Sequence, residues 1–405
     1  MPLRYHRGMR SSPTRDPDTG QRIATYRDPQ LRVVFFVTLM AVLGVASIGP
    51  ALPRVREGLG LPVERIGLVI TLFTLPGVIL SPALGIAADR FGRKRVLLPS
   101  LLLFGLAGGG CALVSSLIPL LGLRLLQGIG AAALGVLNAT LVGDLFEGRQ
   151  RTTAMGLNAS VLSVGTATYP LVGGSLAMIG WRWPFALPLL ALPVAVLVAR
   201  RLREPAVAPP PRLNVYLAGV WREARQAQVL ALFAASCGIF VLLYGPYVTF
   251  LPLFMDDRFG SAPVVIGLVM TSISVVNAIT ASQLGRITAR IPERTIVRLG
   301  FISFALGLLI IPFVPATPAL LLPAVLIGFA FGTTIPVVLS LVAGLAPDDR
   351  RAAFMALNWT VLRFGQTLGP LVASAVYAAA GFRAVYLVGA VLALALAGLM
   401  TLTVR

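Results

Sequence analysis

Long apolar stretches separated by short polar segments follow one another from about residue 33 to the end of the chain. A transmembrane helix needs about 20 mostly apolar residues, and twelve stretches approach or exceed that length; we number them spans 1 to 12. They cover residues 33–53, 64–87, 96–116, 119–142, 153–179, 183–199, 229–254, 263–285, 295–314, 318–343, 353–378 and 382–403. Strands of an outer-membrane barrel would be alternating segments of roughly 10 residues, so the pattern predicts an all-α membrane protein with twelve transmembrane helices.

The chain also repeats itself. Residues 155–172 read MGLNASVLSVGTATYPLV and residues 355–372 read MALNWTVLRFGQTLGPLV, an offset of 200 residues (355 − 155). The same offset relates 66–69 to 266–269, Gly85 and Arg90 to Gly285 and Arg290, and Gly128 to Gly328. These blocks predict two pseudo-symmetric six-helix bundles, at 33–199 and 229–405. Parallel copies in a strongly apolar chain are typical of transporters.

Composition and charge agree with a membrane location. Hydrophobic residues make up 57% of the chain, charged residues 12%, and the mean hydropathy is +0.87, whereas globular domains carry roughly 25% charge. The net charge of +19 could suggest a nucleic-acid partner, but the arginines are concentrated in alternate loops and the N-terminal tail. By the positive-inside rule those loops and both termini are cytoplasmic, so we predict a multi-pass cell-membrane protein with no nucleic-acid partner. Lys94 is the only lysine, which favours a GC-rich bacterium and its inner membrane.

Two polar segments flank the first bundle. Residues 1–32 are polar and predict a disordered cytoplasmic tail. Residues 200–228 form a cytoplasmic linker in which apolar residues recur at helical spacing beside arginines from Leu213 to Arg225. That spacing indicates an amphipathic helix on the inner membrane face, with a solvated connector as the alternative.

The residues that catalysis or metal binding would require are missing from the spans. The only histidine, His6, lies in the tail, and Cys111 and Cys237 sit alone in apolar spans. The spans hold no paired carboxylates and no nucleophile backed by a base. We therefore expect neither an enzyme nor a metal site nor a cofactor.

The segment between spans 2 and 3 reads Gly85-Ile-Ala-Ala-Asp89-Arg90-Phe-Gly92-Arg93-Lys94-Arg95. It resembles the loop signature of the major facilitator superfamily, which implies that superfamily's fold of two six-helix bundles. The resemblance also implies that Gly85, Asp89, Arg90, Gly92 and Arg93 form a conformational latch in which the acid engages span 11. A plain turn with topogenic charge is the alternative. In the second copy Ala289 replaces the acid, which predicts a one-sided latch.

Two further motifs are similar to the same superfamily. Span 4 contains Arg124, Gln127 and Gly128 in an Arg-x-x-Gln-Gly pattern. Span 5 resembles the glycine-proline motif of efflux members, although Tyr169 stands at its second glycine, and span 11 keeps a Gly-Pro pair. The resemblance and the small side chains predict helix packing at Gly128, Gly165, Pro170, Gly173, Gly174, Gly369 and Pro370.

Arg124 and Arg363 lie within apolar spans that hold no acid in their middle. A cation inside a bilayer is costly and usually functional. We predict a substrate or coupling site formed by Arg124, Gln127, Asn158, Asn358 and Arg363. Bonding of Arg124 to backbone carbonyls of a neighbouring helix is the structural alternative.

These observations predict a secondary active transporter with a midplane site that moves by alternating access. We expect a monomeric, drug-efflux-like permease in contact with membrane lipid, with a small amphipathic molecule as its substrate and protons as the candidate coupling ion. The two arginines keep uptake or exchange of an organic anion open as an alternative. A membrane receptor or sensor without transport is the alternative from another class.

Overall fold

The structure is a computed structural model that describes residues 28–203, 226–345 and 351–403. Apart from short turns, the described residues are helical. Most of the predicted tail and of the 200–228 linker, including the predicted amphipathic helix, lies outside the described residues.

Spans 1 to 6 form the N-terminal half. Their helices are Pro29–Ala46 and Leu52–Gly58 (span 1), Val63–Phe91 (span 2), Arg93–Gly110 (span 3), Leu117–Leu145 (span 4), Gly148–Ile179 (span 5) and Ala191–Arg201 (span 6). The first helix begins inside the predicted tail because Asp28 caps it, accepting a hydrogen bond from the Gln30 amide at 2.7 Å. Span 6 begins as a 3-10 helix, Trp183–Leu190, which contains two prolines.

Spans 7 to 12 form the C-terminal half. Their helices are Ala227–Leu242 and Leu251–Phe259 (span 7), Pro263–Ser282 (span 8), Glu293–Ile310 (span 9), Leu321–Leu345 (span 10) and Arg351–Thr403 (spans 11 and 12). Within span 7 the turns from Leu243 to Phe250 are π-helical around Pro246, whose ring nitrogen cannot donate to the preceding turn.

Ten helices in the described residues are long and apolar enough to cross a membrane. Two features explain why the structure has ten such helices although the sequence predicts twelve spans. The long last helix is interrupted at Ala380 and Gly381, and Gly381 has a φ of +72° that favours glycine, so it comprises two segments. Arg93–Gly110 is a further 18-residue segment whose first three residues are basic. The helices are therefore consistent with the twelve predicted spans.

Each half has its own apolar core, and a third core joins the halves. One cluster contains only residues from Leu31 to Leu202, and another only residues from Val229 to Met400. The third combines side chains such as Ile48 and Ile66 of the N-terminal half with Phe250 and Leu253 of the C-terminal half. The halves are thus separate bundles that share apolar packing in one region.

That shared region lies at one end of the molecule. We call the end with the loop between spans 2 and 3 the basic end, and the end with the loops between spans 1 and 2 and between spans 7 and 8 the opposite end. The opposite end also holds an ion pair between the halves, Arg56 to Asp256 at 3.7 Å. The halves are therefore packed together at the opposite end.

Candidate functional site

The interface between the halves is built from pairs that follow the sequence repeat. Gly67 of span 2 faces span 11, where an added Cβ would collide with the Ser374 hydroxyl and lie 3.1 Å from the Pro370 carbonyl oxygen. Gly267 of span 8 faces span 5, where an added Cβ would collide with the Pro170 carbonyl oxygen. Both members of the first pair match the second at the 200-residue offset. Pro170 and Pro370, which the sequence motifs singled out, therefore each contact a glycine of the other half that belongs to the repeated blocks 66–69 and 266–269.

Hydrogen bonds across the interface obey the same symmetry. The Thr71 hydroxyl donates to the Thr367 carbonyl at 3.4 Å, and the Thr271 hydroxyl donates to the Ala167 carbonyl at 2.7 Å. Ser274 and Thr74 occupy equivalent positions in spans 8 and 2. Ser274 donates to Thr166 at 3.2 Å, and the hydroxyls of Thr367 and Thr74 are 3.1 Å apart. These short polar side chains hold spans 2 and 11, and spans 5 and 8, together in pseudo-symmetric pairs.

The other predicted packing positions also sit where backbones approach closely. An added Cβ would collide with backbone or side-chain atoms of neighbouring helices, or crowd them, at Gly128 (Phe73), Gly165 (Leu39 and Val42), Gly173 (Ser47), Gly174 (Pro263) and Gly369 (Val241 and Gly245). Small residues allow such approach between membrane helices. Gly128 and Gly328 are again equivalent, since their nearest backbone oxygens belong to Phe73 and Ile273.

The predicted latch residues form a cluster within the N-terminal half. Gly92 has a φ of +99° and forms a one-residue turn between spans 2 and 3, which favours glycine. The turn places Arg93 against Asp89, with which it forms an ion pair, and the Arg93 Nε donates to Asp144 Oδ2 at 2.8 Å. Arg90 lies beside Phe91, with its guanidinium carbon 5.6 Å from the ring centroid. Arg93 is thus held by two carboxylates of its own half.

The expected contact from Asp89 to span 11 is not formed by the described residues. An added Cβ at Gly85 would meet only Val136 of the same half, at 3.5 Å, and one at Gly285 would meet nothing within 4 Å. In the described residues, neither of these glycine positions at the basic end therefore contacts the other half, in contrast to the glycines nearer the opposite end. In the part of the chain that the structure describes, Asp89 therefore pairs with Arg93 of its own half.

Arg124 is completely buried among three helices. Its guanidinium donates to the Val69 carbonyl at 3.0 Å, the Gly44 carbonyl at 3.0 Å and Gln127 Oε1 at 2.8 Å, and it stacks 4.3 Å from the centroid of Phe73. Gly44 belongs to the last turn of its helix, where carbonyls lack intrahelical partners. These contacts are the ones expected of the structural alternative. One nitrogen each of Arg124 and Gln127 has no partner in the structure.

Arg363 has a different environment, at the midplane of the interface. It lies one helical turn from Thr367, on the side of the basic end, and its side chain is partly exposed. Its Nη1 reaches Gln366 Oε1 at 3.5 Å, the upper limit for a hydrogen bond. The guanidinium extends to Gly77 and Gly135 of the other half. Arg363 is therefore a cation with few protein acceptors.

Asn158 belongs to a polar network that joins spans 1, 4 and 5. Its Nδ2 donates to Asn138 Oδ1 at 3.0 Å, and the Thr38 hydroxyl lies 2.5 Å from Asn158 Oδ1 and 2.7 Å from Asn138 Oδ1. The side chain of Asn158 is 9% exposed. The network satisfies polar groups that would otherwise be buried without partners.

Asn358, the counterpart of Asn158, has no such network. It is fully buried, and neither its Nδ2 nor its Oδ1 has a partner in the structure. Val338 stands where the first half has Asn138. Spans 1 and 7 align at an offset of 198 residues, because Gly165 contacts residues 39 and 42 and the equivalent Gly365 contacts residues 237 and 240. At that offset Ser236 is equivalent to Thr38. The Ser236 hydroxyl also has no partner in the structure.

Sequence reasoning missed several residues of this arrangement. Gly77 and Gly135 lie outside the recognised motifs, and Thr38, Thr71 and Thr271 are common helix residues. The repeat carried a usable signal, because Gly77 aligns with Asn277 and Gly135 with Ile335 at the 200-residue offset. A difference in size between equivalent positions marks where the two halves have diverged.

Comparison with known proteins completes the description of the site. The profile of the Major Facilitator Superfamily matches residues 34–262 and 247–405. Multidrug resistance protein 2 of Bacillus subtilis is 25% identical over 84% of this chain and 87% of its own length. The class C tetracycline resistance protein of Escherichia coli is 26% identical over 85% and 88%. The crystal structure of the nucleoside transporter NupG superposes with a TM-score of 0.77 at 15% identity, covering 95% of this chain and 99% of that one.

Proposed function

The chain belongs to the Major Facilitator Superfamily, and from that premise we propose that it is a secondary transporter that exports small amphipathic, drug-like compounds by alternating access. The proposal joins three elements. The family and the membrane spans make it a membrane transporter. The names of relatives that span most of the chain, a multidrug and a tetracycline resistance protein, favour export. The interface suggests the mechanism.

The observation that supports alternating access most directly is the asymmetry between the two ends. At the opposite end, glycines and threonines of spans 2 and 8 contact spans 11 and 5 in equivalent pairs. At the basic end, an added Cβ at Gly85 or Gly285 would meet no described atom of the other half within 4 Å. Because each half forms its own core, the halves can rock as units and exchange the open end.

The direction follows from charge. If the basic loops are cytoplasmic, as the positive-inside rule predicts, the structure is open to the cytoplasm and closed to the outside. Asp89 pairs with Arg93 in this state. We propose that rocking brings the Asp89 loop against span 11 and stabilises the outward-open state.

Protons remain the candidate coupling ion. The spans carry no acid near their middle, so Asp89 and Asp144 at the basic end are the candidate carriers. Both bind Arg93, and protonation of either would weaken that contact and alter the latch.

Transport by the purified protein in liposomes tests the proposal. Vesicles containing the full chain would be loaded or bathed with ethidium, Hoechst 33342 or 6-carboxyfluorescein, with and without an imposed pH gradient. We expect at least one dye to move faster than in protein-free vesicles, and gradient-driven accumulation if protons are coupled. Binding of a dye without any flux would instead favour the receptor or sensor alternative.

A further inference from the structure

Arg363 belongs to the C-terminal half, but its guanidinium lies against glycines of the N-terminal half. An added Cβ at Gly77 of span 2 would lie 3.2 Å from its Cδ and 3.5 Å from its Nε, and an added Cβ at Gly135 of span 4 would collide with its Nη2. Any larger residue at Gly135 would displace the guanidinium. Two glycines of the N-terminal half therefore form a recess that receives an arginine of the C-terminal half.

The residues that form this recess are not repeated at the equivalent positions of the other half. The residue equivalent to Arg363 is Ser163, whose hydroxyl donates to Ala159 of its own helix at 3.0 Å. The residues equivalent to Gly77 and Gly135 are Asn277 and Ile335. One arrangement thus pairs a cation with two glycines, whereas the equivalent positions of the repeat hold a small polar residue and two larger side chains. Such a one-sided change points to a specific role rather than to bundle assembly.

The charge of Arg363 lacks a counter-charge in the structure. No ion pair of the described residues includes it, and its protein acceptor is the distant Gln366 oxygen. Arg124, by contrast, has two carbonyls, a glutamine oxygen and an aromatic face. A cation near the centre of a bilayer is costly, so a site that leaves one partly exposed on the interface invites an anion.

The neighbours of Arg363 on span 11 indicate the rest of the ligand. Trp359 is four residues before Arg363, on the same helix face, toward the open basic end, and it is 53% exposed. Phe240 and Tyr244 pair on span 7 with ring centroids 6.1 Å apart. These two rings lie level with Gly365 and Gly369, on the side of the opposite end, so a ligand that extends from the guanidinium to the basic end would meet Trp359.

We propose that Arg363, in the recess of Gly77 and Gly135, binds the carboxylate of an aromatic, amphipathic compound, with Trp359 contacting its apolar part. The planar guanidinium offers two parallel donors that match the two oxygens of a carboxylate. This inference rests on the proposed function, because it names the substrate class of the transport site. It assigns the two arginines different roles: Arg124 holds helices together, and Arg363 holds the ligand.

Binding of a matched pair of probes tests the inference. The full chain in nanodiscs of zwitterionic phosphatidylcholine, where no anionic headgroup competes, would be titrated calorimetrically with 1-naphthoate and with its neutral analogue 1-naphthamide. We expect the wild-type protein to prefer the carboxylate by about tenfold or more, the equivalent of one good charged contact. Arg363→Gln should bind both probes alike, and Arg363→Lys should keep part of the preference.

Two further variants separate the ligand site from folding. Gly135→Ala should lower naphthoate affinity by displacing the guanidinium while leaving naphthamide affinity nearly unchanged. Ser163→Ala, at the position equivalent to Arg363, should behave as the wild type. Equal affinity of the wild type for the two probes, or an undiminished preference in Arg363→Gln, would overturn the inference.

The dye-transport experiment distinguishes this failure from a failure of the proposed function. If the wild-type protein moves dyes but shows no carboxylate preference, the proposed transport function is supported and the proposed carboxylate site is refuted. If it moves none of the dyes but prefers naphthoate and loses that preference in Arg363→Gln, the proposed carboxylate site is supported and the proposed export function is refuted.

Discussion

Asn158 and Asn358 are equivalent in the repeat but differ in their surroundings, so the same substitution at each should have opposite effects on stability. Asn158→Leu removes the Asn158 bond to Asn138 and the contact with Thr38. Asn358→Leu removes an amide that is fully buried and has no partner. Each variant adds similar volume at an equivalent position, so the comparison largely cancels the cost of repacking.

The expected magnitudes follow from the contacts. Side-chain hydrogen bonds between membrane helices contribute about 0.6 kcal/mol each, so Asn158→Leu should lower the free energy of unfolding by about 1 kcal/mol. A buried unsatisfied polar group costs about 1–3 kcal/mol, so Asn358→Leu should raise it by up to that amount. The two variants should differ by roughly 2–4 kcal/mol.

The assay is SDS-induced unfolding in mixed micelles, followed by circular dichroism at equal protein concentration. Asn138→Val copies Val338 of the other half and serves as a second probe of the same network, with an expected loss similar to that of Asn158→Leu. Equal destabilisation by the two leucine variants would refute the reasoning, because it would mean that Asn358 has a stabilising partner in the folded protein.

Three other predictions follow from the same arrangement. Asp89→Asn should slow dye transport in proteoliposomes while the amount of protein in the membrane stays unchanged. The reason is that loss of a charge–dipole interaction of about 0.3–2 kcal/mol changes the populations of the inward-open and outward-open states. Transport at the wild-type rate would contradict the latch. Reporter fusions at Arg405 and within the 200–228 linker should both report the cytoplasm, and an external signal from either would reject the proposed topology. Gly267→Ala should open the opposite end more than Gly67→Ala, because its Cβ collides with the backbone carbonyl of Pro170, whereas that of Gly67 collides with the Ser374 hydroxyl, a side chain that can rotate away, and stands 3.1 Å from the Pro370 carbonyl. Thiol labelling of an engineered cysteine between the halves at that end would measure this, and equal labelling would argue against the closure.

Much of the fold could be predicted because the relevant signals are local. The spans follow from runs of apolar residues, and the two bundles follow from blocks repeated at one offset. The glycines predicted to pack helices lie at close helix contacts because only small residues permit them. The start of span 1 at Pro29 was less visible, since Asp28 acts through a single capping bond inside a polar segment.

The sequence by itself determined the membrane-spanning helices and the existence of two arginines within them, because these properties depend on residues close together in the chain, and its repeated blocks predicted the two halves. The tertiary structure decided that the halves pack together at the opposite end, that Asp89 pairs with Arg93 in the described residues, and that Asn358 is left without the network of Asn158. It also separated Arg124, surrounded by carbonyls of spans 1 and 2, from Arg363, which faces two glycines of the other half. Those differences depend on neighbours that lie far apart in the sequence, and only helix packing brings them together.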